Sequence, residues 1–90
     1  MNPSLLESWK PTKSTIVGPG ALAGIYEFKK DKLTITFPAG KKVVDWEIAG
    51  SNLVVKNSLG TIVNRIQIIS NDTFVILNEN GMETEFTRIQ

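Results

Sequence analysis

The apolar runs of this chain are separated by short gaps, and that limits its fold more than any single motif. From residue 22 onward, the joins between runs are three or four residues long: Lys29–Lys32, Pro38–Lys41, Gly50–Asn52, Asn57–Gly60, Ser70–Asp72 and Asn78–Gly81. A parallel strand pair needs a crossover of a dozen or more residues, and no gap after residue 21 supplies one. Each join instead carries the Gly, Asn, Asp, Ser and Pro chemistry of a hairpin turn. The runs themselves lie near 12–17, 22–29, 32–37, 42–48, 52–57, 61–69, 73–78 and 82–89. Eight antiparallel strands in up-and-down order follow.

Side chains two apart share a face of a strand, so each run can be sorted into an inner and an outer set. Leu22, Tyr26 and Phe28 share one face, as do Leu33, Ile35 and Phe37, with Thr34 and Thr36 opposite. Val44, Trp46 and Ile48 point inward while Asp45 and Glu47 face water. Ile62, Ile66 and Ile68 lie with Asn64, and Phe74 and Ile76 oppose Val75 and Leu77. Val, Ile and Thr number 25 against four Ala, a composition suited to pleated, half-buried surfaces. A meander must cover its edge strands or close on itself, and eight strands is about where closure gives a filled barrel or a small cavity. The expected fold is therefore all-β: an antiparallel up-and-down meander of about eight short strands, forming a small barrel or strongly curled sheet.

The N-terminal segment reads differently, broken by Pro3, Pro11 and Pro19 with Gly18, Gly20 and Gly24. Leu5–Trp9 is expected to form one helical turn after an Asn2 or Ser4 cap, with Pro3 in the first turn, and to plug one barrel end. With 90 residues and no linker or repeat, residues 1–90 are read as one domain with one modest core. The start shows no signal-peptide pattern, and no window approaches a membrane-spanning helix, so no membrane insertion is expected. The expected compartment is the cytoplasm if Met1 is the native start, and the periplasm or the outside if an export signal preceded it.

Neither His nor Cys occurs, which removes imidazole bases, thiolate nucleophiles and the commonest transition-metal ligands. The paired carboxylates Asp45/Glu47 and Glu83/Glu85 fall on outward faces and read as solvated charge. Asn78-Glu79-Asn80-Gly81 is a fragment of a calcium loop without its remainder, and a turn explains it better. The glycosylation triplet Asn71-Asp72-Thr73 likewise reads as a turn. Gly18–Gly24 lacks the Lys-Ser/Thr and the helix of a phosphate-binding loop. Ten basic against nine acidic residues give no broad field. Lys29, Lys30 and Lys32 belong to one turn and Lys41 and Lys42 to the next, at opposite ends of a meander, so no nucleic-acid surface is expected. No enzyme, metal or cofactor is expected.

An opening Leu-x-x-x-Trp-Lys (Leu5–Lys10) precedes Tyr26-Glu27-Phe28, a turn, and the Thr-rich strand Leu33-Thr34-Ile35. Trp46-Glu47-Ile48-Ala49-Gly50-Ser51-Asn52-Leu53 then forms a hairpin, and Thr73–Leu77 and Glu85–Ile89 close the chain. This order of elements resembles the small bacterial lipocalin-like domains of the calycin superfamily over nearly the whole chain. The resemblance implies a Trp near the start that packs under a basic residue from the end of the barrel, here Trp9 and Arg88 in a cation–π closure. Lipocalins carry Gly two residues before that Trp, where this chain has Glu7. Strands of about six residues predict little enclosed volume.

Two functions from different classes follow. The first is a non-enzymatic lipocalin-like module binding a small apolar or amphipathic ligand through Tyr26, Phe28, Phe37, Trp46, Asn64, Phe74 and Phe86; the polar members among the apolar faces, Asn64, Asn57 and Tyr26, need partners that a ligand or water supplies. The alternative is a protein-interaction module, a filled barrel that docks a partner protein or a second copy. Its interface would be Val54, Ile69, Val75 and Leu77, the apolar residues that alternation leaves outside.

Overall fold

The computed structural model describes residues 5–15 and 22–89. Eight strands follow in order: β1 (Glu7–Ser14), β2 (Ile25–Phe28), β3 (Lys32–Phe37), β4 (Gly40–Ala49), β5 (Asn52–Asn57), β6 (Gly60–Ser70), β7 (Thr73–Leu77) and β8 (Glu83–Arg88). Each pairs antiparallel with the next, and β8 returns to β1, closing the barrel. Closure leaves no edge strand exposed.

The first strand differs from the expected one. It starts at Glu7 rather than residue 12, and no helical turn occupies Leu5–Trp9, where Leu5 and Leu6 are irregular and the rest is β1. The reason is pairing on both sides. Glu7–Trp9 bond to β2 and Trp9–Ser14 to β8, which satisfies more backbone than an isolated turn of helix can. Pro11 stands past the end of the β2 pairing at Trp9 and beside a slip in the register against β8 between Pro11 and Lys13, the kind of place where a strand proline is tolerated. The expected caps Asn2 and Ser4, Pro3, and residues 16–21 of the Gly-rich stretch lie outside the described residues.

Register places side chains as alternation predicts over most of the barrel. Trp46 opposes Val55 and Leu33 opposes Val44 on the inside, while Lys32 opposes Asp45 and Glu47 opposes Val54 on the outside. Lys32 and Asp45 form an ion pair that holds the Lys32 ammonium above its ordinary pKa, through the hydrogen bond first and the Coulomb attraction second. The core consists of Leu5, Trp9, Phe28, Leu33, Val44, Leu53, Ile66, Phe74 and Phe86.

The outer apolar set is less continuous than expected. Val54, on the outer face between its register partners Glu47 and Val63, is buried at 8% exposure. Val75 and Leu77 are half-buried, and Ile69 alone of the four is exposed. Cross-strand neighbours cover an outward side chain without any partner protein. Leu22, Phe37 and Ile48, expected inside, stand 51%, 39% and 45% exposed: Leu22 lies in a turn before β2 begins, and Phe37 and Ile48 fall at the ends of β3 and β4, beyond the reach of the opposite wall. No helix among the described residues is long and apolar enough to cross a membrane.

Candidate functional site

The two ends of the barrel are built from different residues. At one end lie the chain's entry into β1, the end of β8 and the β2–β3, β4–β5 and β6–β7 turns; at the other lie the β1–β2, β3–β4, β5–β6 and β7–β8 connections.

The first end is sealed by aromatic rings. Trp9, 1% exposed, meets Phe74 edge-on at 4.6 Å between centroids, and its indole N–H donates to the Leu5 carbonyl at 3.0 Å. Phe74 stacks on Phe86 at 4.9 Å, and Phe28 meets Trp46 edge-on at 4.9 Å. The Arg88 guanidinium lies 4.3 Å from the Trp9 ring centroid. It donates to the carbonyls of Leu6 and Asn71 at 3.0 and 2.9 Å and pairs with Glu7 at 2.9 Å and Asp72 at 3.7 Å. One side chain thus ties the N-terminal entry, the β6–β7 turn and β8 over the floor.

Above that floor the walls line a cavity of about 420 Å³ that opens toward the opposite end. Its base is Phe28 and Phe86. Its walls are Pro11, Leu33, Ile35, Val44, Leu53, Val55 and Ile76, with Tyr26 and Asn64 among them. Toward the opposite end the lining turns polar, with Lys42, Asn57, Asn78 and Thr84 beside Ile62 and Met82. The same inward parity that supplies Val44 and Val55 supplies Lys42 and Asn57 at the strand ends. Burial in this cavity raises the Tyr26 phenol above its ordinary 10.0, and its ring meets Phe86 edge-on at 4.9 Å. Thr84 shares a hydrogen bond with Ser14 at 3.1 Å.

Of the seven residues expected to touch a ligand, Tyr26, Phe28, Asn64 and Phe86 line this cavity. Phe74 belongs to the floor between Trp9 and Phe86. Trp46 belongs to the same sealed end, donating its indole N–H to the Lys29 carbonyl at 2.7 Å. Phe37 stands at the rim beside Gly24, where its ring lies 3.0 Å from the position a Cβ would take. The aromatic character of these residues marked them as inward; their height along the barrel separated floor from cavity. Lys42, Asn78, Thr84 and Met82 were not singled out for the site. For Lys42 the signal was present, since it shares parity with Val44 and Trp46. Among the described residues, no three carboxylates gather as a metal site.

The overall shape has a counterpart among solved structures. A lipocalin-like protein from Bacteroides uniformis superposes with a TM-score of 0.75 over 94% of this chain and 98% of that one, at 11% sequence identity. No protein-family model matches this chain, and no curated protein matches its sequence. At that identity the correspondence speaks to architecture: the fold is a lipocalin-like, eight-stranded antiparallel barrel.

Proposed function

We propose that this protein is a non-enzymatic carrier or sensor module that holds one small apolar or amphipathic molecule inside the barrel. The observation that carries the reading is the cavity itself. About 420 Å³ lies between an aromatic floor and a polar rim, within the range of small-molecule sites. A barrel built only for stability would fill that space with side chains. Among the described residues the lining has one charged residue, Lys42, and one other ionisable group, Tyr26, a combination suited to holding a molecule rather than transforming it. The outer face offers less, since Val54 is covered by its neighbours.

Native mass spectrometry of gently purified protein, with titration by the apolar dye 1-anilinonaphthalene-8-sulfonate, tests the reading. Expected are a reproducible added mass lost on denaturation, and saturable dye binding that falls at least severalfold in Ile62→Trp, which narrows the mouth at a half-exposed position. Dye binding unchanged by Ile62→Trp would place the dye elsewhere and overturn the assignment.

A further inference from the structure

The turn between β7 and β8 holds an asparagine placed to change covalently without any enzyme. An asparagine loses its amide when the next residue's backbone nitrogen attacks its Cγ, and the attack is easiest where that residue is glycine, which has no β-carbon in the way. Of the chain's seven asparagines, Asn80 alone precedes a glycine, Gly81. Asn2 precedes a proline, which has no N–H to give up. Asn52, Asn57 and Asn64 lie in β5 and β6, where the ladder holds the backbone extended, and the side-chain oxygens of Asn57 and Asn78 are engaged by N–H groups of their own turns. Asn80 differs on each count. It is exposed, its side chain makes no hydrogen bond among the described residues, and it borders the cleft between β6 and the turn, where water reaches it. Gly81 stands at a φ of 80°, with open space where a β-carbon would sit.

One residue restrains this pair. The Gly81 N–H, the attacking group, donates to the Asn78 carbonyl at 3.0 Å, and the Asn78 N–H donates to the Met82 carbonyl at 3.0 Å. The Asn78 Oδ1 accepts the N–H groups of Asn80 and Met82 at 2.9 and 3.0 Å. We propose that Asn80-Gly81 is a site of spontaneous deamidation and that Asn78 is the clasp that sets its rate. When the turn opens, the Gly81 nitrogen loses its proton and bonds to the Asn80 Cγ, and the side-chain nitrogen leaves as ammonia. Water then opens the resulting succinimide at either carbonyl, to aspartate or to isoaspartate. One water enters and one ammonia departs, with no change of oxidation state. Both products place a second carboxylate beside Glu79. Isoaspartate also adds a methylene to the main chain between Asn78 and Met82, so the spacing that the clasp spans no longer fits. Asn78 and Met82 both line the cavity, and the reaction therefore reshapes part of its wall as the protein ages.

The test is incubation of the full chain at mildly alkaline pH with peptide-resolved mass spectrometry, beside a synthetic peptide spanning Leu77–Glu83 as the unrestrained reference. Expected is conversion at Asn80 ahead of every other asparagine, slower than in the peptide, with aspartate and isoaspartate both formed. Asn78→Ala, checked by circular dichroism for an intact barrel, should speed conversion about fivefold, the gain in turn opening when one exposed hydrogen-bonded clasp is lost. Asn78→Asp keeps an acceptor oxygen in the same place and should keep the parent's rate. An Asn80 still intact in the folded chain once the peptide has fully converted would overturn the site. A rate in Asn78→Ala equal to the parent's, or a rise in Asn78→Asp matching that in Asn78→Ala, would overturn the clasp.

Discussion

The sealed and open ends of the barrel are made by the same strands with the same alternation, yet they behave as different materials. At the sealed end Trp9 and Phe74 are 1% and 0% exposed and every ring touches another ring. At the open end Ile62 and Met82 are 50% and 42% exposed, and the polar groups are fixed by turns rather than by packing. The difference teaches that inward parity alone does not make a core. A ring of large aromatics at one height meets across the barrel and closes it; a ring of Val, Ile and Asn at another height cannot span the same diameter and leaves a cavity.

The division of labour predicts unequal mutational costs, the largest first. Trp9→Ala removes a buried ring, its hydrogen bond to Leu5 and its contact with Arg88, and should cost about 3–5 kcal/mol in urea unfolding, as large-to-small aromatic core changes do. Ile62→Ala, at the rim, should cost under ~1 kcal/mol while weakening ligand binding, since half of its surface is already in water. Comparable stability losses at the two positions would break the contrast between the ends.

A smaller effect sits at Glu7, the one described non-glycine residue with positive φ, at 95°. This is the position where lipocalins carry glycine. A β-carbon there costs about 1–3 kcal/mol of strain, set against an ion pair with Arg88 whose Glu side is 70% exposed and worth at most about 1 kcal/mol. Glu7→Ala keeps the strain and loses the pair; Glu7→Gly loses both. In paired thermal melts the Gly variant should be the more stable of the two by about 1 kcal/mol after glycine's own entropic cost. The opposite order would show that the entry into β1 is relaxed.

The subtlest expectation concerns Tyr26, the chain's single tyrosine. Because burial raises its pKa in the folded chain, the native state holds the phenolic proton to higher pH than the unfolded chain does. The stability this contributes is complete below 10.0 and is lost as pH rises through the raised folded value. Spectrophotometric titration of the phenolate should give a midpoint above 10.0, moving higher still when decanol fills the cavity. A midpoint at the ordinary value would mean that Tyr26 is hydrated through the mouth.

Much of the architecture was legible in the residues. Short joins forced antiparallel pairing, and strands β3 and β5 fall where the alternating runs 32–37 and 52–57 do. The first strand was not legible, because Pro11 reads as a breaker until the bulge beside it is seen. Within the candidate site, Tyr26, Phe28, Asn64 and Phe86 were visible as inward residues, whereas Trp46 and Phe74 carried the same signal and belong to the floor.

Local pattern thus settles which way each side chain faces and in what order the strands pair, because both depend on neighbours within a few residues. It does not settle height. Which inward residues share a layer depends on strand tilt and stagger accumulated around the closed sheet, with slips such as that between Ile68 and Ser70. Only closure brings Arg88 over Trp9, 79 positions away in the chain, and sets Lys42 at the mouth of a cavity whose floor is Phe86.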